Sequence, residues 1–200
     1  MQDLAQENMP TADEEIVRLV LAGDKRAFGE LVERHKDKAM TLALRMLKNR
    51  EEAEEALQDA FVRAHHALLR FEWKASFSTW LYRIVYNVCA SSLDKRSETV
   101  HVSLNDEDEQ TLDVPSEEPA PDAVYESREI REAVTEEIER LPETYVGILT
   151  LFFVNDLSYD QIVEVSGLPL ATVKVRLFRG RLLLRDAVAK RLGVTNRAVS

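Results

Sequence analysis

The sequence predicts an all-α protein with two small helical domains, an acidic flexible linker between them, and a helix-turn-helix in the C-terminal domain. Three observations lead to this prediction. Apolar residues recur at steps of three and four along most of the chain, as they do on one face of a helix. A stretch without any Lys or Arg separates two nearly neutral segments. Near the C-terminus, a short capped helical pattern, a glycine-proline turn and a long basic helical pattern follow one another.

The distribution of charge locates the linker. The 200 residues carry 26 Lys and Arg against 36 Asp and Glu, a formal net charge of −10. Residues 97–127 hold 10 of the acidic residues and no Lys or Arg. This stretch has few apolar residues to offset the entropy cost of ordering a chain. It therefore predicts a solvated linker at 97–127, between domains at 13–96 and 128–192.

Composition excludes several classes of protein. A chain with 1 Cys has no internal disulfide framework and is compatible with a reducing cytosol. No apolar run reaches the ~18 residues that a membrane-spanning helix needs. The first residues are polar and do not form a secretory signal. We expect a cytoplasmic protein that does not insert into a membrane.

Periodicity predicts four helices in the first domain. Asp13 is a candidate N-cap for a first helix that stops at Gly23, and Asp24 is a candidate cap for a second that stops at Asn49. Four such amphipathic helices can pack into one small bundle. Two further apolar stripes cover residues 53–68 and 77–88. The segment between them, 71–76, breaks the period and predicts a loop.

The second domain is predicted to end in the helix-turn-helix. Pro142 ends one helix and a further helix covers 143–154. Ser158 to Gln161 is a capping-box pattern that starts a short helix, and Gly167 marks the turn. A long helix from Leu170 follows, and eight basic residues oppose a single acidic residue between 167 and 200. Such a basic helix is typical of phosphate binding, whereas an ordinary helical hairpin with a solvated face is the alternative.

These motifs, in this order, resemble the bacterial sigma-70 family, specifically its extracytoplasmic-function (ECF) group. The resemblance covers 13–96 and 128–192, and the segment Glu72-Trp73-Lys74 replaces a basic-Gly-acidic tripeptide that is common in the family. The stretches that carry the resemblance are DKRAFGEL (24–31), EEAEEALQDAF (51–61), FSTWLYRIVYN (77–87), LPETY (141–145), LSY (157–159) and ATVKVRLFRGR (171–181).

The resemblance implies an RNA polymerase sigma factor that recognises −35 and −10 promoter elements and promotes DNA melting. Implied partners are core RNA polymerase, through its β and β′ subunits, promoter DNA and an anti-sigma factor. The residues implied to bind core polymerase are Glu54, Glu55, Gln58, Asp59 and Phe61. Those implied at the −10 element are Phe71, Trp73, Lys74, Ser76, Arg83 and Asn87. Those implied at the −35 element are Thr172, Lys174, Val175, Arg176, Phe178, Arg179 and Arg181.

The chemistry of individual residues agrees with these roles. Trp73 lies in a polar loop and can stack on an unpaired base. The amide of Asn87 can both donate to and accept from a base edge. Val175 has no hydrogen-bonding group and can contact only a thymine methyl. Trp80 and Cys89 fall on the apolar stripe of their helix, which favours a place in the core.

No residue pattern indicates catalysis. The four histidines lack the spacing of metal ligands, so we expect no enzyme activity, no metal and no cofactor. Two other functions stay open from the residues alone. A DNA-binding regulator that acts without polymerase would bind duplex DNA tightly as the free chain, usually as a dimer. A protein-interaction module would make no DNA contact even with polymerase present.

Overall fold

All the regular secondary structure of the described residues is helical, as the sequence predicts. The computed structural model describes the backbone of residues 12–100 and 128–192. No helix in those two ranges is both long and apolar enough to cross a bilayer. The helices are α1 (Ala12–Leu21), α2 (Ala27–Leu47), α3 (Arg50–Ala67), a 3-10 turn (Leu68–Arg70), α4 (Phe77–Val100), α5 (Arg128–Glu139), α6 (Glu143–Phe153), α7 (Tyr159–Ser166) and α8 (Leu170–Arg191).

Helices α1 to α4 form the first unit. Four alanines spaced three or four residues apart, from Ala53 to Ala64, are buried along one face of α3. Their small side chains allow α3 to pack closely on α2 and α4. Leu31, Leu42 and Leu81 fill the interior between these helices. Helix α4 continues to Val100, past the domain boundary expected at residue 96, and residues 101–127 of the predicted linker lie outside the described residues.

Asp24 does not cap α2 as predicted. The helix begins at Ala27 after Arg26, and the Asp24 carboxylate accepts from the Arg26 backbone N–H at 2.8 Å, in the turn before the helix.

Two further predicted helix ends differ from the structure. Asp13 lies inside the first turn of α1, and its carboxylate contacts His35 Nε2 at 2.7 Å, so it ties α1 to α2 instead of capping α1. Asn49 does not end α2. Its side chain accepts hydrogen bonds from the backbone N–H groups of Glu51 and Glu52, which makes it the N-cap of α3. Lys48 ends α2 in the left-handed conformation at φ 55°.

Helices α5 to α8 form the second unit and contain the predicted helix-turn-helix. Ser158 and Gln161 make both hydrogen bonds of a capping box at the start of α7. Gly167 closes α7 at φ 71°, a left-handed conformation that favours glycine. Pro169 then leads directly into α8. This confirms the predicted short helix, turn and long helix.

The two units are in contact. Helix α6 packs against α2, and α7 packs against α4. The buried apolar residues of both units form one continuous cluster. The described chain therefore folds as two helical units with a shared interface, and we call this contact the inter-unit interface.

Cys89 is buried inside the first unit, as predicted from its apolar stripe. Burial disfavours the charged thiolate and raises the pKa of Cys89 to about 12. We expect iodoacetamide to leave the thiol unmodified at pH 8 in the native protein and to alkylate it fully in urea. Mass spectrometry after timed alkylation measures this, and rapid labelling of the native chain would contradict the buried position.

Candidate nucleic-acid interface

Helix α8 has one buried side and one partly exposed side. Val173, Leu177, Gly180 and Leu184, three or four residues apart, face the interior. A Cβ on Gly180 would lie 2.9 Å from Leu149 Cδ1, so α8 and α6 approach closely here. This packing fixes which side of α8 is left for a ligand.

The partly exposed side carries the predicted −35 residues. Lys174 and Phe178 are four residues apart, as are Val175 and Arg179, so they form two adjacent rows on the helix. All four are half-buried, and so are Thr172 and Arg176. A recognition helix presents its first turns to base edges in the same way. The structure therefore brings these six predicted residues together on the first three turns of α8.

Arg181 has a packing role within the second unit. Its guanidinium donates to the Tyr159 hydroxyl, and its Nε donates to the Leu177 carbonyl oxygen at 3.2 Å. The guanidinium also lies 5.2 Å from the centre of the Phe152 ring. The contacts with Phe152 and Tyr159 hold α8 on α6 and α7, in addition to the phosphate contact that the resemblance implies.

The loop before α4 displays Trp73. Trp73 adopts φ 58°, a left-handed conformation that is unfavourable for a bulky residue, and its side chain is 41% exposed. The indole lies 5.0 Å from the Phe71 ring, and the guanidinium of Arg18 lies 5.7 Å from the indole centre. Arg18 belongs to α1, and the sequence patterns gave no sign that it would support this loop.

Phe71 supports the loop from below. It is 8% exposed and packs against Trp73, Phe77 and Trp80. Trp80 packs against the core, as its place on the apolar stripe predicts. A buried ring cannot stack on a base without movement of the loop, so Trp73 is the loop aromatic with an accessible face.

Ser76 organises the end of the same loop. Its Oγ accepts from the Thr79 backbone N–H at 3.1 Å and so caps the first turn of α4. Lys74 is exposed and forms an ion pair with Glu72, which raises the pKa of the lysine. The cap fixes the point at which the loop joins α4.

Arg83 and Asn87 lie on the exposed surface of α4, one turn apart. Each follows a tyrosine that is covered: Tyr82 is fully buried and Tyr86 is half-buried. Burial raises the pKa of both tyrosines. Arg83 and Asn87 thus lie beside two tyrosines of α4 that the second unit contacts, through Asn155 at Tyr82 and Gly147 at Tyr86.

The predicted polymerase-docking face lies on α3. Glu54, Glu55 and Gln58 are exposed, and Asp59 and Phe61 are half-buried. Glu54 pairs with Arg50 and Asp59 pairs with Arg63, both within α3. Val62, next to Phe61, is 51% exposed and adds apolar area that the sequence patterns did not single out. The face is acidic towards the start of α3 and apolar at Phe61 and Val62, one turn further on.

A helix-turn-helix with a basic second helix is typical of proteins that bind DNA. Comparison with family models makes this specific. Residues 31–99 match the model "Sigma-70 region 2", and residues 131–184 match "Sigma-70, region 4". We refer to the two units as region 2 and region 4 from here on.

Curated relatives agree along nearly the whole chain. The chain is 34% identical over 173 residues to the ECF RNA polymerase sigma factor SigW of Bacillus subtilis, covering 84% of this chain and 92% of the relative. It is 32% identical over 180 residues to the ECF RNA polymerase sigma-E factor of Escherichia coli, covering 88% and 94%. The chain belongs to the sigma-70 family, in its ECF group. It is an RNA polymerase sigma factor that acts in promoter recognition and transcription initiation.

Solved structures share the fold. CnrH in complex with the cytosolic domain of CnrY aligns with a TM-score of 0.59 at 22% identity, covering 88% of this chain and 96% of that chain. The sigma factor RpoE in complex with the anti-sigma factor NepR, from Bartonella quintana, aligns with a TM-score of 0.58 at 20% identity, covering 80% and 96%.

Proposed function

We propose that three surfaces of this chain divide the work of initiation. The face of α3 docks on core polymerase, α8 recognises the −35 element, and α4 with its preceding loop holds the melted −10 strand. The main support is that six of the seven −35 candidates lie together on the partly exposed side of the basic helix α8.

The docking surface is the α3 face. Glu54, Glu55, Gln58, Asp59 and Phe61 bind the clamp of the β′ subunit. The acidic residues direct association, while Phe61 supplies apolar area to bury. Region 4 contacts the β subunit.

At the −35 element, the first turns of α8 enter the major groove. Lys174, Phe178 and Arg179 contact base edges, and Val175 contacts a thymine methyl. Thr172, Arg176 and Arg181 contact phosphates and fix the register of the helix on the duplex.

At the −10 element, region 2 holds bases that have left the stack. Asn87 recognises an extruded base through its amide, and Trp73 stacks on a neighbouring base. Lys74, Ser76 and Arg83 hold the backbone of the strand. Phe71 does not contact the DNA itself. It acts by packing against the Trp73 indole and holding that ring in place.

We further propose that a protein anti-sigma factor controls this chain. The support is that both solved structures named above are complexes, one with the anti-sigma factor NepR and one with the cytosolic domain of CnrY. The chain itself acts in the cytoplasm, carries no catalytic activity and requires no cofactor.

Transcription in vitro tests the proposal. Core polymerase with this chain, on a library of genomic promoter fragments, is expected to give starts at a defined set of promoters. Core polymerase alone is the control and is expected to give none of these starts. Identical transcript ends with and without the chain would contradict the proposed function.

A further inference from the structure

Trp73 combines a strained backbone with an exposed side chain. Its φ of 58° lies in the left-handed region, where glycine carries no steric penalty and a bulky residue does. The indole is 41% exposed, so burial in the core does not fix its orientation. An exposed ring that must meet a base in one orientation needs support from its neighbours.

Two side chains contact the indole. The buried Phe71 ring has its centroid 5.0 Å from that of Trp73 and is itself packed against Phe77 and Trp80. The guanidinium of Arg18 lies 5.7 Å from the indole centre, within the ~6 Å reach of a cation–π contact. Phe71 belongs to the loop itself, whereas Arg18 belongs to α1. The contact from α1 therefore ties the loop to a separate helix.

Helix α1 gives Arg18 a fixed base. Ile16 and Val17, the two residues before it, are buried where α1 packs against α2. The contact between the Asp13 carboxylate and His35 Nε2, at 2.7 Å, adds a polar tie between the same helices. Helix α1 also contacts the 3-10 turn that leads directly into the loop. The Arg18 guanidinium thus reaches Trp73 from a backbone position that the core of region 2 holds in place.

The charged side chains of the loop do not explain its conformation. Glu72 and Lys74 flank Trp73 and form an ion pair with each other. Both residues are exposed, and an exposed ion pair adds little stability. The Arg18 contact is therefore the stronger candidate for fixing the indole from outside the loop.

Two simpler roles for Arg18 make different predictions. As a basic residue in the last turn of α1, it interacts favourably with the helix dipole, which would affect stability alone. As an exposed cation near the −10 loop, it could attract a DNA phosphate directly. Neither role depends on the indole, so removal of Trp73 distinguishes both from a role through the ring.

We propose that Arg18 is a positioning residue for promoter melting, whose guanidinium holds the Trp73 indole in the orientation in which a base of the −10 strand stacks on it. The proposal rests on the proposed function, since it assigns α1 a part in the same −10 surface. A ring that is already oriented loses less freedom when a base binds, and this preorganisation strengthens the contact.

Three substitutions and one control isolate this role. Arg18→Met removes the cation and keeps an unbranched side chain, while Arg18→Lys keeps a cation that can still lie over the ring. Trp73→Ala removes the ring, alone and together with Arg18→Met. Arg26→Met is the matched control, because Arg26 is also an exposed arginine of region 2, in the turn between α1 and α2. Thermal unfolding checks that each variant is folded.

Time-resolved fluorescence anisotropy of the free chain measures the mobility of the indole. The sequence has 2 Trp, so Trp80→Phe in every sample leaves Trp73 as the only emitter while keeping an aromatic ring beside Phe71. Arg18→Met should about double the amplitude of the subnanosecond component, because side-chain motion on this timescale is what the contact restrains. Arg18→Lys should give an intermediate amplitude, and Arg26→Met should match the parent chain.

Permanganate footprinting with core polymerase measures the effect on melting in chains that retain Trp80. Arg18→Met should lower open-complex formation about three- to five-fold and leave band-shift affinity for the duplex unchanged, as expected for loss of a partly exposed cation–π contact. Arg18→Lys should retain at least about half of the wild-type level, and Arg26→Met should match the wild type. In the Trp73→Ala chain, Arg18→Met should cause no further loss, because residues that act through one contact are not additive.

The outcomes separate this proposal from the proposed function. A further loss from Arg18→Met in the Trp73→Ala chain would show a direct DNA contact and overturn the proposal. Unchanged indole mobility in Arg18→Met would overturn it too, as would normal or increased melting by Arg18→Met while Trp73→Ala melts poorly. Normal melting by Trp73→Ala would count against the stacking role in the proposed function and would remove this proposal with it.

Discussion

Replacing Lys174 or Arg179 by Ala is expected to weaken holoenzyme binding to the −35 element about ten- to a hundred-fold. Both side chains lie on the partly exposed side of α8, in the first three turns. A base-edge contact contributes about 1–3 kcal/mol, and every 1.4 kcal/mol is a tenfold change in affinity. Band-shift titration of a promoter fragment, with its −35 element intact or scrambled, measures the loss.

Lys190→Ala is the matched control for this prediction. Lys190 lies on the same helix and carries the same charge, but it is exposed in the last turn, far from the residues proposed to contact bases. Its loss should weaken binding only slightly and equally on both fragments. If Lys190→Ala weakened binding as much as Lys174→Ala, general attraction to phosphate would explain the data and base contact would not.

The helices could be predicted because their signals are local. An apolar stripe with steps of three and four can be recognised from the sequence of one helix alone. The capping box that begins at Ser158 spans only four residues. Gly167 is similar, since a left-handed turn position selects glycine directly. The ends of α1 and α2 were harder, because Asp13 and Asn49 each had two possible uses. A tertiary contact decided the use of Asp13, and the local cap of α3 decided that of Asn49. His35, which contacts the Asp13 carboxylate, is 22 positions away in the sequence.

The inter-unit interface could not be predicted from these patterns. The contacts that form it pair residues far apart in sequence, as with Thr79 and Gln161. Its centre depends on the absence of a side chain at Gly147, and a helical glycine gives no local sign of what it faces. Arg45 on an otherwise apolar stripe was the available signal, since a charged residue at a core position indicates that something covers it.

Individual residues of the candidate site could be predicted only where they belong to a recognisable sequence motif. The docking and −35 residues fall on contiguous helical surfaces, and helical spacing alone places them together. The −10 loop was different. Its sequence marks it as irregular, but only the three-dimensional structure shows Phe71 beneath Trp73 and Arg18 of α1 beside it. An irregular segment has no periodicity from which such contacts follow.

Asn87→Ala is expected to impair promoter melting while leaving duplex binding nearly unchanged. The substitution removes an exposed amide on α4 that would pair with an extruded base, and it leaves α8 intact. Loss of such a contact should lower open-complex formation about tenfold or more. Permanganate footprinting at the −10 element, beside band-shift affinity on the same promoter, separates the two steps. Ser91→Ala, one turn further along the exposed side of α4, is the control and should melt DNA normally.

Trp73→Gly distinguishes the effect of Trp73 on stability from its effect on promoter melting. Trp73 holds φ 58°, where glycine has no steric penalty, so the substitution removes backbone strain of about 1–2 kcal/mol while also removing the contacts with Phe71 and Arg18. We therefore expect the free energy of unfolding to change little. Loss of a stacked base should still lower open-complex formation about ten- to a hundred-fold, as base–aromatic stacking contributes about 1–3 kcal/mol. Trp73→Ala should melt promoters as poorly and should also unfold more easily, because alanine retains the strain.

The two measurements decide between a base contact and a surface aromatic. If Trp73→Gly melts promoters at the wild-type rate, the indole does not stack on DNA and the loop serves only the packing of α1 against α4. If instead Lys174→Ala loses melting but keeps duplex binding, the division of labour between region 2 and region 4 is wrong. The remaining outcome is that Trp73→Gly loses melting while its free energy of unfolding and its duplex binding stay unchanged. In that case the exposed indole acts on the DNA, and this role explains why the chain tolerates a strained residue at position 73.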